Sequence, residues 1–166
     1  MRNVAIGLLL LVLASVIVQP LIEIVNLGRE KLILSTAIIT SARSAKDRSL
    51  EYKFQRDLNA VVNEKLFAEY FADAFLKSMN LSLVNSDGIN KYRFKPEKDK
   101  YNDIIVTLDF VKEGDGLSNQ YVTTVRMRAE TEYKFKTKAM QLVEKMSINE
   151  KNNLVEERIL ILSIKN

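Results

Sequence analysis

The chain has no cysteine and no histidine among its 166 residues. Their absence excludes disulfides, thiolate nucleophiles, imidazole bases and the common zinc ligand sets together. Most familiar catalytic constellations need one of those groups, so the expected protein is not an enzyme and carries no cofactor. Other signatures are missing as well: Gly114-Asp115-Gly116 lacks the spaced carboxylates of a calcium loop and the lysine of a phosphate loop. Between two alternating segments, that tripeptide is what a hairpin turn demands. Charge of one sign is also scarce, because 25 Lys and Arg are interspersed with 21 Asp and Glu to a net +4. Such a surface is solvated and is no footprint for nucleic acid. There is no internal repeat and no low-complexity segment.

What is present is a long uncharged run. Residues 4–22 read VAIGLLLLVLASVIVQPLI, close to the ~20 residues that a helix needs to cross hydrocarbon ~30 Å thick. Leu8, Leu9, Leu10, Leu11, Val12, Leu13, Val16, Ile17 and Val18 are the expected anchoring residues. Arg2 before the run also suits a cleaved signal peptide, but no small-x-small site ends it, so a retained membrane helix is expected. Pro20 removes one backbone hydrogen bond and predicts a bend near the membrane surface. Glu23 follows directly, as an interfacial charge in the headgroup region or, in a sharper reading, as the partner of a cation on a neighbouring subunit. Basic residues flank both ends, Arg2 on one side and Arg29 and Lys31 on the other, so charge alone does not set the orientation.

Beyond the run, Ile33, Ala37, Ile38 and Ala42 recur at helical spacing, which predicts one long helix continuing to about residue 50, with Gly28 its weak point. A second, amphipathic helix is predicted over 54–78, with Leu58, Val62, Leu66, Tyr70, Phe71, Ala74 and Phe75 on one side. Asn59, Glu64, Lys65, Glu69 and Asp73 fall largely off that side, and an aromatic stripe of this kind reads as core. Asn85-Ser86-Asp87-Gly88 reads as the turn that closes the region. Strands are predicted at 91–95, stopped by Pro96, and at 103–112, where Ile104, Val106, Leu108 and Phe110 share one face. Its antiparallel partner alternates Tyr121, Val125, Met127, Ala129, Tyr133 and Phe135 with Arg126, Arg128, Glu130, Glu132, Lys134 and Lys136. A short helix at 137–147, carrying Ala139, Met140, Leu142, Val143 and Met146, a polar loop at 149–153 and a last strand at 156–165 complete the chain. The expected fold is α+β: a transmembrane helix extending into a long helix, a second amphipathic helix and a three- to four-stranded antiparallel sheet. Residues 1–50 form the anchor and extended helix in this reading, and 51–166 an extracytoplasmic α+β domain.

An N-terminal membrane helix continuing into Ser35-Thr36-Ala37 and Ser41-Ala42-Arg43-Ser44-Ala45, then an amphipathic helix and an antiparallel sheet, resembles TadE-like minor pseudopilins of tight-adherence (Tad) pilus systems. The likeness covers most of the chain in layout, with Thr107 and the 121–133 strand similar to the C-terminal sheet of that family. One departure is visible. Family members commonly carry a glycine processing site followed by glutamate at the fifth mature residue, whereas here Gly7 precedes Leu8 and the fifth residue after it is Val12.

The resemblance implies a single-pass protein of the cytoplasmic membrane with its C-terminal domain outside. It further implies a non-enzymatic assembly role in a pilus-like or secretion filament, with pilin-like or envelope proteins, or further copies of the chain, as partners. Ala37, Ala42 and Arg43 are then the expected helix-packing residues. The alternative is an anchored sensor or solute-binding module, using a pocket between the amphipathic helix and the sheet.

Overall fold

A computed structural model describes residues 2–52, 60–114, 121–146 and 153–165. The first helix, α1 (Arg2–Ser49), is continuous over 48 residues, or ~72 Å at 1.5 Å per residue. Pro20 lies inside it and Gly28 does not interrupt it. The two halves of α1 differ in environment. Up to about residue 22 nearly every side chain stands exposed, whereas Leu34, Ala37, Ile38, Ala42 and Ala45 recur on one face and are buried. Ile33, expected in that buried row, lies at its rim, more than a third exposed.

After α1 comes a small hairpin, β1 (Leu50–Tyr52) with β2 (Ala60–Val62), paired Leu50 to Val62. The second helix, α2, spans Glu64–Met79. The expected helix at 54–78 is therefore corrected at its start: Val62 belongs to a strand, while Phe54, Leu58 and Asn59 lie outside the described residues. The reason is a cap. Asn63 Oδ1 accepts the N–H groups of Lys65 (3.1 Å) and Leu66 (3.2 Å), satisfying donors that a helix start leaves open, and Glu64 sits in the first turn. Asn80 ends the helix in a left-handed conformation, φ 51°, its N–H bonded to the Leu76 carbonyl.

Five strands follow in one antiparallel sheet of order β3-β4-β5-β6-β7: β3 (Leu81–Asp87), β4 (Lys91–Pro96), β5 (Ile104–Gly114), β6 (Tyr121–Glu132) and β7 (Asn153–Lys165). A nine-residue helix, α3 (Lys138–Met146), lies between the last two. The sheet exceeds the expected three to four strands because β3 escaped the pattern. It is an edge strand with only Leu81 buried, so it shows no alternation, and its register with β4 shifts between Leu83 and Asn85. The turn expected at 85–88 falls later, beginning at Gly88 (φ 64°). Parts of the expected 113–116 turn and 149–153 loop lie outside the described residues.

One sheet face is packed and the other open. Phe94, Ile104, Val106, Leu108, Val125, Met127 and Ala129 are fully buried, under α1 and α2. Between α2 and the sheet, Phe67, Phe71 and Phe75 stack in succession at centroid separations of 6.3 and 5.7 Å, and Phe75 meets Phe94 at 5.3 Å. Outward, Arg126 pairs with Glu157 (3.3 Å) and Arg128 with Glu130 (2.5 Å), each half-exposed and of little net worth.

Two substitutions separate packing from polarity in this core. Phe71→Ala should cost about 3–5 kcal/mol, since its neighbours cannot collapse into the space of a stacked ring. Ser41 is the opposite case, because its buried hydroxyl has no hydrogen-bond partner. Ser41→Ala should therefore stabilise the chain by about 1 kcal/mol. Urea unfolding midpoints in detergent would check both.

Candidate functional site

The site is the junction at which α1 leaves its bare apolar half and meets the sheet domain. Two carboxylates on α1 define it. Glu23 and Glu30 are two helical turns apart, so both project from the same face, and both are buried, at 5% and 8% exposure. Buried carboxylates require partners, and each has them.

Glu23 Oε1 accepts the backbone N–H of Lys136 (2.6 Å) and of Thr137 (3.0 Å), and its Oε2 accepts the Thr137 hydroxyl (2.6 Å). Thr137 in turn opens α3: its carbonyl accepts the Gln141 N–H and its hydroxyl oxygen faces the Met140 N–H at 3.4 Å. A negative charge is thus placed at the positive end of α3, as the helix dipole favours. Neither sequence expectation for Glu23 anticipated these partners. Its ligands belong to its own chain and none of the three is a cation. What the sequence hid is that a segment more than a hundred positions away folds back onto it.

Glu30 Oε1 accepts from the Lys100 ammonium (2.9 Å) and Oε2 from the Tyr101 hydroxyl. Burial alone would raise the Glu30 carboxyl, but the hydrogen bonds from Tyr101 and Lys100, with the positive charges of Lys100 and Arg29, hold it below its ordinary 4.5. The same contact, after burial itself, pushes the Tyr101 hydroxyl far above its usual range. Tyr101 and Tyr133 meet edge to face at 6.1 Å, so the acid rests on an aromatic floor.

Further along α1 the polar contacts continue to β7. Lys31 lies 3.6 Å from Glu156, Arg158 reaches both Glu156 (3.4 Å) and the Ser35 hydroxyl (2.6 Å), and Lys46 donates to the Ile161 carbonyl (2.8 Å). Of the expected packing residues, Ala37 and Ala42 are buried in the core of this chain, and Arg43 is exposed away from them. The nine expected anchoring residues, Leu8 to Leu13 and Val16 to Val18, are all about half-exposed or more.

Clefts occur elsewhere than expected. The space beneath Phe67 and Phe71 is filled by their own stack and by Phe110. A groove of about 660 Å³ lies on the open sheet face, lined by residues of both charges including Arg93, Lys95, Asp103 and Glu130. A cleft of about 410 Å³ opens at the junction itself, between Gln19, Ile22 and Asn26 of α1 and Lys100, Lys136 and Tyr133 of the head. Among the described residues no three acidic side chains gather closely enough to hold a metal ion. All four oxygens of Glu23 and Glu30 are engaged by donors, which makes them structural clamps.

No family model, no curated protein and no solved structure matches the chain. Its architecture is pilin-like: a long N-terminal helix, apolar and uncovered in its first half, has its second half packed on an antiparallel sheet. That one helix is long and apolar enough to cross a membrane.

Two outcomes test the clamps. Because the folded value of Glu30 lies below 4.5, its contribution is complete above pH 4.5 and is lost as pH falls through the lowered value. Glu30→Gln should flatten that acid limb of a stability-versus-pH curve. Glu23→Ala leaves two N–H groups and a hydroxyl without their acceptor and should cost about 2–3 kcal/mol, with faster amide hydrogen exchange across residues 136–146.

Proposed function

We propose that the chain is a membrane-anchored, non-enzymatic assembly component of a pilus-like or secretion filament system, similar in kind to a minor pseudopilin. The observation that carries this reading is the contrast along α1. Its first half is uncharged and uncovered over the length of a bilayer, whereas its second half is built into the core of a folded head. Exposed Leu, Ile and Val in such number, at ~25 cal/mol per Å² of apolar area, favour lipid or other apolar helices over water.

In this reading α1 sits in the cytoplasmic membrane as a single span with the head on the extracytoplasmic side. Its bare half meets the corresponding helices of pilin-like or envelope proteins, or of further copies of the chain. Ala37 and Ala42, occupied inside the chain, play no part in that lateral contact. The binding-module reading loses its main support with the filled space beneath Phe67 and Phe71.

Expressed in a bacterial host, the full chain should stay in the membrane pellet after alkaline washing, with protease reaching the head from the outer side. Leu11→Lys places a charge in mid-span at a cost of ~3 kcal/mol and should release a large share of it. A single cysteine at Val12 should give crosslinked species in the membrane. A washed-out monomer would defeat the anchoring, and a membrane-bound chain without crosslinks anywhere along 8–18 would defeat the assembly.

A further inference from the structure

The end of the uncharged run and the start of α3 lie side by side. Glu23 is the first residue after the run, and it receives the N–H groups of Lys136 and Thr137, immediately before α3 begins. On α1 the residues around this level, Leu21, Ile22, Ile24 and Val25, are all more than half exposed. The helix therefore starts where apolar surface on α1 is still uncovered.

α3 leaves part of its apolar surface uncovered. Met140 packs against the core and Gln141 Nε2 donates to the Phe135 carbonyl at 2.8 Å. Glu144 lines a small cleft with Tyr133 and Phe135, so the side bearing Met140, Gln141 and Glu144 meets the head. Leu142, 58% exposed, and Met146, 78% exposed, are one turn apart, and at ~100° per residue they fall nearly opposite that side. Met140 thus faces the head, whereas Leu142 and Met146 face out. Three exposed lysines lie near this outward face: Lys136 just before α3, and Lys138 and Lys145 along one flank of it, Lys145 at the edge of the cleft that Glu144 lines.

We propose that α3 is an interfacial helix lying on the bilayer at the foot of α1. Leu142 and Met146 enter the boundary between headgroups and acyl chains, and Lys136, Lys138 and Lys145 meet anionic phospholipid headgroups. This rests on the reading of α1 as a membrane helix. A lipid surface is the occupant because α3 starts beside Glu23, at the end of the uncharged run where hydrocarbon would give way to headgroups, and because the exposed charges next to its apolar face are basic. The head is then held by two attachments, which set its tilt and its rotation about α1.

The chain has no cysteine of its own, so single-cysteine variants of the full protein can be labelled with a polarity-sensitive fluorophore. Met146→Cys is the reporter, Leu13→Cys the control in the span, and Val111→Cys the control on the open sheet face. They would be reconstituted in phosphatidylcholine vesicles with and without phosphatidylglycerol. The proposal expects the label at 146 to be several-fold less quenched by aqueous iodide than the label at 111, and to be quenched by shallow nitroxide lipids. It also expects that shielding to increase with phosphatidylglycerol and to lose the increase in Lys136→Gln/Lys138→Gln/Lys145→Gln.

Equal iodide quenching at 146 and 111, with 13 shielded, overturns the interfacial helix and leaves the membrane span standing. Shielding at 146 without nitroxide-lipid quenching means that protein covers the face, and it overturns the proposal too. Shielding indifferent to phosphatidylglycerol overturns the assignment to anionic headgroups. Iodide quenching at 13 removes the anchor reading and this inference together.

Discussion

The structure depends on two acids of one helix being taken up by the domain that the helix carries. A carboxylate far from water is tolerated only when donors surround it, and Glu23 and Glu30 obtain theirs from the approach to α3 and from the loop before β5. The Glu30 clamp requires the loop before β5, and the Glu23 clamp the approach to α3, each to be in its folded position. The position of the head along and around α1 is thus specified by polar contacts, while the affinity between them comes from the apolar row of Leu34, Ile38, Ala42 and Ala45. Apolar packing alone would leave more freedom to slide by a helical turn. Glu23 and Glu30 being two turns apart, with chemically different partners, disfavours that slip.

A helix shared between two environments carries a conflict that the sequence resolves by face and by level. Below residue 23 α1 is apolar around most of its circumference; above it, Arg29 and Arg43 are exposed on one side while the opposite side packs, with Lys31 at the rim of the packed side beside Glu156. The single buried hydroxyl without a partner, Ser41, sits in the packed row and is the one evident imperfection among the described residues. The sheet side shows the same economy. One face carries the aromatic and branched residues that α1 and α2 cover, and the other carries ion pairs of alternating sign.

Where periodicity is strong, the fold was legible. The alternation Ile104, Val106, Leu108 and Val125, Met127, Ala129 identified the two central strands and the face each buries, because a central strand has a packed side and a wet side. The long first helix was legible for a similar reason. The hairpin β1–β2 was missed, since Val62 fits a helical spacing as well as a strand, and the Asn63-Glu64 cap that decides between them is a local signal two residues long. β3 was missed because an edge strand with one buried residue has no period to detect. The junction was the least legible part. Glu23 and Glu30 stand out in the sequence as acids on an apolar helix, but their partners are separated from them by about seventy to more than a hundred positions, and nothing local to α1 announces them.

If the chain is anchored as proposed, the irregular register of β3 has a bearing on life at high surface density. Proteins confined to a two-dimensional layer meet one another far more often than the same number in solution, and an open sheet edge is a template on which strands from neighbours can grow into fibrils. A strand whose ladder is broken between Leu83 and Asn85, and whose tip carries Asp87, offers a poor template. At the opposite edge, the Lys46 ammonium occupies the Ile161 carbonyl. In the proposed assembly, such molecules could therefore crowd side by side without their sheets fusing.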